Sequence, residues 1–199
     1  ALCTELVAST YGYCVGFGGA AALSSRTRGV ALTCELKHSD LALDYRVEVA
    51  RQQDYDNNPV ACSSDYHHLV LGLRAAGIRV GVGDELLGAD ASAGVALQTP
   101  LATMHAFQGW TDKFLNTPAT GVKDQYIDLG TKISGVALKA VWHDYTADTG
   151  SANYGQEWNL QASKTLLKRY TLTAKYANYR ADTLARDTQK IWLMAEAAF

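Results

Sequence analysis

A surplus of charge of either sign is what these 199 residues lack most: 18 Lys and Arg stand against 20 Asp and Glu, a net charge of −2 with His neutral. That balance excludes the strongly basic surface of nucleic-acid-binding domains, whose pI lies above about 9, so no nucleic-acid partner is expected. No apolar run reaches the roughly 18 residues that mark a transmembrane helix. A membrane-crossing strand stays open, because its signal is alternation rather than a run. Proline is scarce too: 3 Pro against 17 Gly, 11 Tyr and 4 Trp is a composition of long β-strands joined by glycine turns.

The motifs of common chemistries are missing as well. Cys3, Cys14, Cys34 and Cys62 form no Cys-x-x-Cys pair, which excludes a zinc knuckle or a thioredoxin-like site. They read as small wall residues, with a disulfide open to an oxidising compartment. There is no G-x-S-x-G elbow and no G-x-x-x-x-G-K-[ST] phosphate cradle, so no catalytic residue and no cofactor is expected. Gly-Phe-Gly-Gly at 16–19 lacks a following helix pattern and reads as a strand end. His67 and His68 are consecutive in a strand and point to opposite faces, as do His143 and Asp144, so neither pair chelates one metal ion. Asp54, Asp56, Asn58 and Asp65 resemble the opening of a calcium loop. Pro59 stands where that loop needs glycine, so an Asx-rich external loop is expected. The start lacks a basic stretch and an apolar h-region, the expectation for a mature chain, a cytosolic protein or a piece of a longer one.

What is present is a two-residue rhythm. Ile191, Leu193, Ala195, Ala197 and Phe199 share one face at the end of the chain, opposite Lys190, Trp192, Met194 and Glu196. The cleanest strand sets Leu41, Leu43, Tyr45, Val47 and Val49 against Ala42, Asp44, Arg46, Glu48 and Ala50. Similar stripes pass through Trp158 and Leu160, Tyr170 to Tyr176, Leu138 to Trp142, Ile127 and Leu129, Ile78 to Val82, Leu69 to Leu73, Val30 to Leu36, and Tyr11, Tyr13, Val15 and Phe17. Ten strands result, with a partial one over residues 1–7. Tyr154, Trp158, Tyr170 and Trp142 near strand ends suit an interfacial girdle.

The links between strands alternate in length. Those at 18–28, 51–65, 88–124, 144–153 and 180–187 are long, and those at 38–40, 75–77, 134–135 and 166–168 are short. An antiparallel up-and-down transmembrane β-barrel shows that parity, with short periplasmic turns and long external loops. The alternative is a soluble β-barrel or sandwich that binds a ligand or protein partner, with the same pattern facing the other way. Asp84 breaks the apolar stripe and needs either a place near a rim or a shifted register, since a charge at mid-depth in lipid is costly.

The segment Q-T-P-L-A-T-M-H-A-F-Q-G-W-T-D-K-F at 98–114, with L-N-T-P after it, resembles a motif of the alginate-export-type outer-membrane porins. R-Q-Q-D-Y-D-N-N-P at 51–59, L-L-G-A-D at 86–90, V-W-H-D-Y-T-A-D-T-G-S-A-N-Y-G at 141–155 and K-Y-A-N-Y-R-A-D at 175–182 agree with it, and the matches cover about residues 45–199. The resemblance implies a Gram-negative outer-membrane channel that passes solute without chemistry, and a single domain over 1–199 that is a barrel or the C-terminal portion of a larger one. It also implies outer-membrane lipid and a small hydrophilic solute as partners, with the barrel assembly machinery engaging Phe199.

On this reading the pore lining holds Asp44, Arg46, Glu48, Arg74, Arg79, Asp128, Lys132, Lys139, Glu157 and Lys175. The basic members would draw an anionic saccharide or carboxylate, or the acids would pair with them; Arg46 between Asp44 and Glu48 is the expected ladder. Residues 88–124 form a long loop, and Leu101, Met104, Phe107, Trp110 and Phe114 at near-helical spacing after Thr99-Pro100 predict a short helix there. That helix is either a constriction inside the pore, presenting His105, Gln108, Trp110, Asp112 and Lys113, or a lid on the rim.

Overall fold

The computed structural model of the protein describes Cys3, residues 5–102 and residues 107–198. Ten long strands carry the fold: β1 (Glu5–Val15), β2 (Ser25–His38), β3 (Leu41–Asp54), β4 (Ser63–Ala75), β5 (Ile78–Leu87), β8 (Val122–Ile133), β9 (Val136–Thr146), β10 (Asn153–Leu166), β11 (Tyr170–Ala181) and β12 (Thr188–Ala197). A small hairpin of β6 (Ala89–Asp90) and β7 (Val95–Ala96) lies within the longest link. The ten strands form one antiparallel sheet in chain order, each paired with its sequence neighbour. Every long strand has 10 to 14 residues, enough to cross a bilayer at a tilt.

Local chemistry explains the short links. Ala76-Gly77 and Ser134-Gly135 have positive φ at both positions, the twist that closes a two-residue hairpin without splaying its strands. The long links all lie at the other end of the sheet.

The polarity of the sheet is the reverse of a soluble protein's. Leu71, Leu73, Val80, Val82, Ile127, Leu129, Trp158 and Leu160 share the outward face and are exposed, and Leu193 reaches 82%. The opposite face buries Glu48, Glu85, Asp124, His143, Glu157 and Asn159. A sandwich would hide the apolar stripes between two sheets; here a single sheet displays them. Asp84 points outward with its register intact against Gln125. It sits at the long-link end of β5 and is satisfied by His67 (2.6 Å), Gln125 (2.8 Å) and Lys123 (3.5 Å).

The first strand corrects the sequence reading twice. It is one strand rather than a partial piece followed by another. Its Tyr11, Tyr13 and Val15 also take the inward face, opposite Gly29, Thr27 and Ser25, while Leu6, Ala8 and Cys14 point outward. Tyr11 explains the inversion, because its hydroxyl donates to Glu48 (2.7 Å) on that inner face. Two of the cysteines are joined, Cys3 to Cys34, whereas Cys14 and Cys62 are free.

Candidate functional site

The link from β5 to β8 occupies residues 88–121, shorter at its end than the sequence suggested, and it folds onto the polar inner face. Gln52 on β3 anchors one side: its Nε2 donates to the carbonyl of Gln98 (2.9 Å), and its Oε1 accepts the Gln98 N–H (2.9 Å). Gln98 in turn clasps Thr117 through two hydrogen bonds, drawing the segment into a closed loop. Further along, Gln108 donates to Glu85 on β5 (2.8 Å). Glu157 on β10 accepts the backbone N–H of Trp110 (2.6 Å) and of Thr111 (2.9 Å), with the Thr111 hydroxyl as a third donor. Asp112 then reaches Lys190 on β12 (2.6 Å), and Lys113 donates to Thr188 (2.6 Å). The segment thus spans the inner face from β3 to β12.

Glu157 is 0% exposed and faces donors rather than a cation. A carboxylate in that position is tolerable only because charged acceptors make strong hydrogen bonds to fixed donors. Gly109 lets the chain come so close: its φ is +81°, and a side chain there would strike the Tyr145 hydroxyl and the Glu157 carboxyl. Phe114 packs on Tyr145 with ring centroids 4.6 Å apart, in an apolar cluster with Leu87, Leu97, Val122, Tyr154 and Tyr179. Burial and the nearby Lys190 and Arg186 push the Lys113 amine below its ordinary range.

The helix expected at 101–114 does not run through its second half. Gln108 (φ 49°), Gly109 and Asp112 (φ 60°) adopt left-handed conformations that break it into turns. Met104 and His105 lie outside the described residues, as does Phe199. Gln108, Trp110, Asp112 and Lys113 all engage inward-facing groups of the wall.

All ten residues read from the sequence as lining the interior share the inward face by register. They fall into two groups. Arg79 bridges Asp44 (2.7 Å) and Asp128, Arg46 pairs with Glu48, and Arg74 lies 3.7 Å from Glu35. The expected Asp44–Arg46 ladder is therefore only half formed, because Arg79 reaches across two strands and takes Asp44. In the second group, Lys175 lies over the Trp110 ring, 4.7 Å from its centroid. Lys132 and Lys139 are exposed and have no ion-pair partner among the described residues. Between segment and wall a cavity of about 580 Å³ is lined by Tyr11, Tyr13, Glu48, Glu85 and Phe107. Among the described residues no cluster of His, Cys, Asp and Glu is arranged to hold a metal ion.

The anchors Gln52, Gln98 and Glu85 were not singled out in the sequence, since partners 46 or 23 residues apart leave no local mark. The Gln-Gly-Trp at 108–110 was the available signal, a glycine interrupting a helical pattern.

No family model matches the chain, and no curated protein matches it either. Among solved structures it is similar to Pseudomonas aeruginosa OccK5 (OpdH), with a TM-score of 0.66 at 12% identity over 100% of this chain and 56% of that one. It is likewise similar to OpdL of that organism, with a TM-score of 0.64 at 17% identity over 98% and 56%, and to OccK9 (OpdG), with 0.61 at 15% over 87% and 48%. The chain spans roughly half the length of these structures. At such identities the likeness is one of fold.

Proposed function

We propose that the chain forms wall and constriction of an outer-membrane channel for passive diffusion of small hydrophilic solutes, without catalysis. One observation carries this reading: the sheet turns its apolar stripes outward and its charges inward, and residues 97–102 and 107–117 lie across the charged side. Hydrocarbon supplies no hydrogen bonds to a backbone, so strands in lipid belong to a closed sheet, with β1 and β12 meeting each other or further strands. The likeness to OccK5, OccK9 and OpdL, which are outer-membrane porins, supports the same location and the same kind of traffic.

Within that class, Lys132, Lys139 and Lys175 favour anionic solutes, because unneutralised cations in a narrow low-dielectric passage concentrate counter-ions. An anionic saccharide, in keeping with the alginate-export-like segment at 98–114, is the finer assignment. The test is a planar-bilayer recording with detergent-refolded protein in a salt gradient. Unit conductance steps with a reversal potential on the anion side are expected. A chain that stays monomeric in buffer without detergent and conducts nothing contradicts the channel.

A further inference from the structure

On the outward face, the apolar band ends towards the long links in a collar of polar side chains. Most of its charges are matched across neighbouring strands: Arg51 by Asp65 (2.7 Å), His67 and Lys123 by Asp84, and Asp144 by the Gln156 amide (3.1 Å). Arg28 on β2 and Arg180 on β11 differ, both exposed and without a hydrogen-bond or ion-pair partner among the described residues, and Arg28 borders a groove. Arg28 stands opposite Arg51 in register. Arg26 follows on the same face, its Nε buried and without a partner.

Below Arg28 an open groove of about 580 Å³ crosses β1 to β4. Gly12 contributes no side chain to it, Val30 and Val49 are directly paired on its floor, and Arg28, Arg51 and Asp65 stand at its polar end. The two valines are about half exposed and continue the apolar band. The groove is thus a trough that opens to the membrane and is capped by guanidinium groups in excess over carboxylate.

We propose that this groove holds one phosphorylated lipid of the surrounding membrane, with its phosphate on Arg28 and Arg51 and an acyl chain along Val30 and Val49. The inference rests on the membrane reading above. Guanidinium presents paired donors that match phosphate oxygens, and the free phosphate ion would leave the valine floor unused. Lys123, matched by Asp84, offers a headgroup no such surplus, whereas Arg51 shares its single carboxylate, Asp65, with a site that also holds Arg28.

The test uses the full chain in non-ionic detergent, with native mass spectrometry of lipid retention and three separate probes: dipalmitoyl phosphatidic acid, dipalmitoylglycerol and inorganic phosphate. Phosphatidic acid is expected to stay bound and the other two to be lost. R28A lowers retention about fivefold, the effect of one basic residue at an anionic headgroup, whereas K123A, whose ammonium faces Asp84, changes it less than about twofold. Retention in R28A within about twofold of the parent, or equal retention of dipalmitoylglycerol, overturns the proposal. Inorganic phosphate held as tightly as the lipid does so too, leaving a soluble-anion site. Unchanged heat-modifiable migration of R28A on a gel verifies its fold. Retention is read without conductance, so a chain that keeps the lipid but passes no current breaks the channel reading alone, and one that conducts while R28A behaves as the parent breaks only the lipid site.

Discussion

Arg79 on β5 and Lys139 on β9 both point inward, yet Arg79 is held by Asp44 and Asp128 while Lys139 meets no charged partner among the described residues. The same contrast divides the whole inner face. From β3 to β5, guanidinium and carboxylate groups interlock across strands, so their charges cancel and their side chains stay in place. From β9 to β12, Lys139 and Lys175 line the wall without a carboxylate partner among the described residues, Lys190 reaches Asp112 of the crossing segment, and Glu157 is committed to that segment's backbone. Charge of the first kind stiffens a wall; on the proposed channel reading, charge of the second kind remains for a solute that passes.

The largest effect is expected where the segment is tied to the second half. Glu157→Ala leaves three donors of Trp110 and Thr111 without an acceptor, at about 3–5 kcal/mol in a urea unfolding series. The freed segment should also raise single-channel conductance; unchanged conductance would mean that it does not narrow the path. Arg79→Ala comes next, because Asp44 and Asp128 lose their shared partner. The three side chains are only partly buried, which limits the loss to about 1–3 kcal/mol in the same series. Gly109→Ala costs about 1–3 kcal/mol through its left-handed backbone, with the noise of the open channel as a second readout.

Lys139→Ala and Arg46→Ala form the smallest pair in stability and the sharpest in function. Lys139→Ala should change stability by less than about 0.5 kcal/mol yet move the reversal potential towards cation preference. Arg46→Ala should leave that potential nearly unchanged, because Glu48 already neutralises Arg46. Equal shifts from the two substitutions would erase the distinction between the halves.

The strands were legible because a period of two is written locally, and link parity needs only the positions of turns. The facing of β1 was not, since Tyr11 and Tyr13 count as apolar in a pattern but carry hydroxyls that seek partners such as Glu48. Spacing at 101–114 reads as a helix, yet the contacts of Trp110, Thr111 and Phe114 with distant strands decide the conformation at 108–114. Glu157 was legible as inward-facing, but its task as an anchor depends on a segment 46 residues away.

The central claim is that alternate residues of each strand meet lipid and lumen. Single nitroxide labels at 137 to 142 on β9, in a chain with Cys14 and Cys62 replaced by Ser and the Cys3–Cys34 bridge kept, test it most directly. Collision rates in liposomes should favour oxygen at Leu138, Ala140 and Trp142 and a water-soluble nickel chelate at Ala137, Lys139 and Val141. Rates without a two-residue period, or with the two quenchers exchanged, would contradict the account.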